Sequence, residues 1–152
     1  MTNSKQLLTE AQRELLTAML NCIIPAAGDH PGAGDLQIAD FVEGAISPDP
    51  QLRGKFTTGL AQTEIAAAKL ANAKFTQIGH AKQETVLKEI QAENPAFFDL
   101  VLRQCYNGYY TNPQIQDLIG YQRATPESYQ YEPMDQSLLE PQKQRAPFWT
   151  QI

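Results

Sequence analysis

Asn94-Pro95-Ala96-Phe97-Phe98-Asp99-Leu100-Val101-Leu102-Arg103-Gln104-Cys105-Tyr106-Asn107-Gly108-Tyr109-Tyr110-Thr111-Asn112-Pro113 decides the fold class of this chain. Asparagine at the N-cap and proline at the first helical position start a helix where the missing N–H costs nothing. Phe97, Phe98, Val101, Leu102, Cys105, Tyr106 and Tyr109 then recur at helical spacing and predict one inner face. A helix this aromatic needs other helices around it.

Those helices are legible upstream. Thr9-Glu10-Ala11-Gln12 has the form of a capping box, in which hydroxyl and amide side chains satisfy free backbone N–H groups. Leu15, Leu16, Met19, Leu20, Ile23 and Ile24 follow at helical spacing, with Glu10, Arg13, Glu14, Thr17 and Asn21 on the outer face. Pro25 ends that helix, and residues 25–35 form a turn-rich loop. Asp35 is the expected N-cap of a short second helix, with Ile38, Phe41, Val42, Ala45 and Ile46 inward. After Ser47-Pro48-Asp49-Pro50, a third helix is expected over 51–73, with Leu52, Phe56, Leu60, Thr63, Ala67 and Leu70 along one face. A fourth is expected near 80–92, carrying Val86, Leu87 and Ile90. Strand signals are essentially absent. The expected fold is all-α: a single bundle of about five helices, without internal repeat.

Downstream the character changes. Residues 1–120 read as the bundle domain and 121–152 as an extended tail with Pro126, Pro133, Pro141 and Pro147 and no glycine. Only Ser137-Leu138-Leu139-Glu140 hints at a helical turn. A polyproline-like tail of this length reaches on the order of 90 Å when extended. The body's radius of gyration should be about 14 Å. Tyr121, Tyr129, Tyr131, Phe148 and Trp149 are its natural anchors, and two receivers stay open: the body itself or a partner subunit.

Composition narrows the classes. The chain has 152 residues, 42% hydrophobic and 19% charged, enough for one domain with a real core. A net charge of -5, with 12 scattered Lys and Arg, argues against nucleic acid, which demands a clustered basic surface. No apolar run approaches a membrane span. The polar start Met1-Thr2-Asn3-Ser4-Lys5-Gln6 offers no export signal, so cytoplasmic location, or export bound to a signal-bearing partner, is the expectation from that segment. Cys22 and Cys105 lack ligand spacing; they read as buried free thiols, with a disulfide between packed helices as the alternative.

Catalytic chemistry is hard to find. His30 and His80 have no nucleophile or ligand at motif spacing. Asp29, His30, Asp35 and Asp40 lack a recognised metal-binding pattern, and their ordinary role is to cap and shape the loop. Gly28, Gly32 and Gly34 do not form a dinucleotide fingerprint, since no strand precedes them. No residue is therefore assigned as catalytic, cofactor-binding or metal-ligating. Tyr109 and Tyr110 are adjacent and cannot share a helix face, so one should point outward as an interface anchor. The candidate partner-binding residues are Tyr109, Tyr110, Asn112, Tyr121, Tyr129, Tyr131, Phe148 and Trp149.

Ile23-Ile24-Pro25 followed by Pro31-Gly32-Ala33, and later Gly108-Tyr109-Tyr110-Thr111-Asn112-Pro113 with Leu118-Ile119-Gly120-Tyr121, resembles the signature of the gluconate 2-dehydrogenase subunit 3 family. The resemblance spans most of residues 9–121. It implies a small, non-catalytic bacterial subunit of a membrane-associated sugar or sugar-acid dehydrogenase. In such complexes FAD sits in a large subunit of the glucose–methanol–choline oxidoreductase type. Electrons commonly leave through a cytochrome c subunit carrying haem c. The small subunit supports stability and export of the large one, which implies a periplasmic or membrane-associated location through the partner. Two readings from other classes stand beside this: a stand-alone protein with a small-molecule pocket between helices, and a small metal-dependent enzyme using the Asp29/His30/Asp35 loop.

Overall fold

The computed structural model describes residues 7–122 and 135–145. Among them the protein is all-α, with seven α-helices, three 3-10 turns and no strand. Two compact units divide the chain, Met1–Tyr121 and Gln122–Ile152.

In the first unit, α1 (Glu10–Ile23) opens with the expected capping box: Gln12 N–H donates to Thr9 Oγ1 at 3.3 Å, and Thr9 N–H to Gln12 Oε1 at 3.0 Å. Its polar residues are less solvated than their spacing suggests. Arg13 pairs with both Asp40 and Glu43, and Glu43 also accepts the backbone N–H groups of Leu7 and Leu8. Glu43 is buried, so this clamp fastens the segment before α1 to the second helix with every charge partnered.

That helix, α2 (Ile38–Ile46), starts later than expected. Asp35 does not cap it. The carboxylate of Asp35 reaches back to accept Gly32 N–H at 3.0 Å, which closes a 3-10 turn over Ala33–Leu36. Gln37 then breaks direction at φ 57, and α2 follows. The inner face also differs from the expected one: Ala39 and Glu43 are buried beside Ile38, Val42 and Ile46, while Phe41 and Ala45 are exposed.

Asp49 caps α3 (Pro50–Ala71), its Oδ1 accepting from Gln51 N–H at 2.7 Å and Leu52 N–H at 3.3 Å. Phe56, Leu60, Thr63 and Ala67 face the core as expected; Leu70 near the helix end is exposed. A 3-10 turn at Phe75–Gln77 leads to α4 (His80–Glu93), which packs against α3. Asn94 and Pro95 then start α5 (Pro95–Thr111), with Asn94 Oδ1 accepting Phe97 N–H at 3.2 Å. The core is built where α3 passes under α5. Phe56 and Phe97 meet edge-on at 5.6 Å, and Gly59 lies beneath the Phe97 ring, where any Cβ would overlap it. Phe97, Val101, Cys105 and Tyr109 are buried; Phe98 and Leu102 are half-buried, and Tyr106 is exposed. Seven residues span too wide an arc of one helix for all to face inward.

A short helix not expected from periodicity, α6 (Pro113–Leu118), closes the first unit. In the second, a 3-10 turn at Gln136–Leu139 runs into α7 (Glu140–Lys143), at the hinted Ser137–Glu140 position, and its described residues are exposed. The tail prolines Pro126, Pro133 and Pro147, and the polar start Met1–Gln6, lie outside the described residues.

Candidate partner-binding site

Tyr109, near the end of α5, is 4% exposed, and its hydroxyl donates to the Pro31 carbonyl at 3.0 Å across 78 positions of chain. Burial, then the neighbouring Tyr110 and Cys105, push the phenol's pKa up, so it remains a proton donor well into the alkaline range. The carbonyl it holds belongs to the loop between α1 and α2. This contact brings the two signature segments together.

The loop is fastened at its base by side chains aimed at backbone. Asn21 Oδ1, from the last turns of α1, accepts Gly34 N–H at 2.7 Å, and Asn21 Nδ2 donates to Asp35 Oδ1 at 3.3 Å. Ala33 N–H donates to Ile24 C=O at 2.9 Å. Gly34 is required by proximity, since a Cβ there would lie 2.5 Å from Thr17 C=O. At the tip, Ala27 and His30 exchange two backbone hydrogen bonds of 2.9 and 3.0 Å around Gly28, which sits at φ 57. Residues 25–30 are exposed.

On the other side, Gly108 lets α2 approach α5: a Cβ there would stand 2.8 Å from Ile38 Cγ2. Asn112 Oδ1 caps α6 by accepting Gln114 N–H at 2.9 Å. The helix ends in a Schellman turn, with Gly120 at φ 66 and Tyr121 N–H donating to Gln116 C=O at 2.8 Å. The motif Ile119-Gly120-Tyr121 is therefore first a helix stop.

Half of the ten exposed large hydrophobic side chains among the described residues lie between 106 and 121: Tyr106, Tyr110, Leu118, Ile119 and Tyr121. Tyr106 and Tyr110 stack at 6.2 Å on the outer side of α5. Of the candidate residues, Tyr110 and Tyr121 are exposed, Asn112 is half-buried and occupied with its cap, and Tyr109 is inside the body holding Pro31. Tyr129, Tyr131, Phe148 and Trp149 lie outside the described residues. Asn21 and Tyr106 are the additions. Nothing marks Asn21 in the sequence, because an outer-face asparagine reads as solvated until its loop partner is placed. Tyr106 could have been found from the overfull arc of α5.

Among the described residues, no three of His, Cys, Asp and Glu assemble around a point where a metal ion would fit. Asp35 is engaged with Gly32 and Asn21, and Asp40 with Arg13. A cleft of about 340 Å3 lies between α1 and α3, but its Glu64 carboxylate is already accepting Phe75 N–H at 3.2 Å. Both cysteines are free thiols. Burial pushes Cys105 up to about 12, and burial followed by the Glu84 charge raises Cys22.

The sequence model of the family described as gluconate 2-dehydrogenase subunit 3 matches residues 10–126, which takes in the loop, α5, α6 and the Schellman turn. No curated protein and no solved structure matches the chain.

Proposed function

Because the chain belongs to the gluconate 2-dehydrogenase subunit 3 family, we propose that it is the non-catalytic small subunit of a flavin-dependent sugar or sugar-acid dehydrogenase, binding and stabilising the large catalytic subunit. The observation that carries this reading is the meeting of the two signature segments at Tyr109 and Pro31. In it the two motifs that carry the resemblance hold the loop and the end of α5 together. In this reading FAD belongs to the large subunit and haem c to a cytochrome subunit. The small subunit assists export of the large one to the bacterial periplasm. No helix among the described residues is long and apolar enough to cross a membrane; in this reading membrane association runs through the partner.

Tagged full-length chain recovered from its native host is expected to bring with it a larger protein showing flavin absorbance. The chain alone should carry no flavin and should not reduce an artificial electron acceptor with gluconate. Dehydrogenase activity in the isolated chain, or recovery without any flavoprotein, would overturn the proposal.

A further inference from the structure

The loop joining α1 to α2 runs longer than the two to eight residues that usually connect packed helices. Ordering a backbone of that length costs conformational entropy, and here the order is held by side-chain hydrogen bonds. Asn21 gives both ends of its amide to the loop, Asp35 its carboxylate, and Tyr109 its buried hydroxyl. Yet residues 25–30 lend no side chain to the core; each is exposed. Gly28 has nothing within 4 Å of where a Cβ would stand, so the tip projects clear of the body. A rigid base under a projecting tip reduces the entropy lost on binding.

We propose that residues 26–30 form a preformed recognition finger for the large flavoprotein subunit, and that Tyr109 is a positioning residue acting on it through Pro31. This rests on the accessory-subunit reading above. The finger carries Asp29 and His30, both exposed, on a chain of net charge -5. It fits a recess in a protein surface that presents a lysine or arginine to Asp29.

The test uses the full-length chain and the flavoprotein that co-purifies with it. Asp29→Ala combined with His30→Ala is expected to weaken binding about tenfold while leaving the thermal midpoint unchanged. Tyr109→Phe keeps the ring and removes only the donor. It should weaken binding by a similar factor and speed amide exchange at Ala27 and His30, while core amides of α3 and α5 keep their protection. Wild-type binding with both variants equally tight would overturn the finger. Weakening by the tip variant alone would overturn the role of Tyr109, and failure of the wild-type chain to recover any flavoprotein would remove the accessory-subunit reading itself.

Discussion

At the scale of single residues, glycines test the packing most directly, because identical substitutions should have opposite signs. Gly59→Ala pushes a methyl into the Phe97 ring where α3 and α5 cross, and overpacking of this kind costs about 1–3 kcal/mol. Gly54, a turn earlier on the same helix, has nothing within 4 Å. There the same change removes only glycine's backbone freedom and should stabilise by about 0.5–1 kcal/mol. Urea unfolding of the two variants reads both signs; a Gly59→Ala midpoint equal to or above wild type would mean that α5 does not rest on α3 as described. Cys105 supplies a second test. Its thiol titrates near 12 when folded against an ordinary 9.0, so the folded state holds more protons between those values. Its contribution to stability is complete below pH 9 and is lost as pH rises toward 12. The urea midpoint should therefore decline above pH 9, and decline less steeply in Cys105→Ala, although Tyr109, also raised by burial, keeps part of the slope.

Elements show where local chemistry sufficed and where it did not. Helices α1, α3, α4 and α5 were legible because each combines a start signal or break with several core positions at helical spacing. Helix α6 has the same Asn-Pro start as α5, yet only Ile115 in it is buried, so no apolar stripe announces it. Its existence rests on its two ends. Asn112→Ala leaves Gln114 N–H without its 2.9 Å acceptor and should cost about 1 kcal/mol. Because the loss falls on a peripheral element, amide exchange should rise over 114–121 while the α3 and α5 amides stay protected; unchanged exchange there would show that Ile115 alone anchors α6. The start of the second helix differs from the expectation for a related reason. An aspartate before a helix pattern reads as its cap, but here the Asp35 carboxylate accepts Gly32 N–H and Asn21 Nδ2, while Asn21 also holds Gly34.

The whole molecule holds what sequence spacing cannot encode. That Pro31 and Tyr109 both matter was legible as motif; that one hydroxyl joins them was not, because nothing local relates a loop carbonyl to a tyrosine 78 positions away. The clamp of Glu43 on Arg13, Leu7 and Leu8 was hidden likewise, since it links three segments by a buried carboxylate. These contacts close the first unit with its own residues: every buried hydrophobic side chain among the described residues lies between Leu8 and Ile115. A chain truncated after Gln122 should then unfold cooperatively with a midpoint near that of the full chain, since no core position buried among the described residues is removed. Its binding should differ. Residues 123–152 carry Tyr129, Tyr131, Phe148 and Trp149, and large aromatics of this kind dominate interface energetics when buried against a partner. If the tail serves the complex, truncation lowers recovery of the flavoprotein without altering the body's stability. Recovery equal to that of the full chain would place the whole interface on the first unit, with Tyr106, Tyr110, Leu118, Ile119 and Tyr121 as its exposed apolar surface.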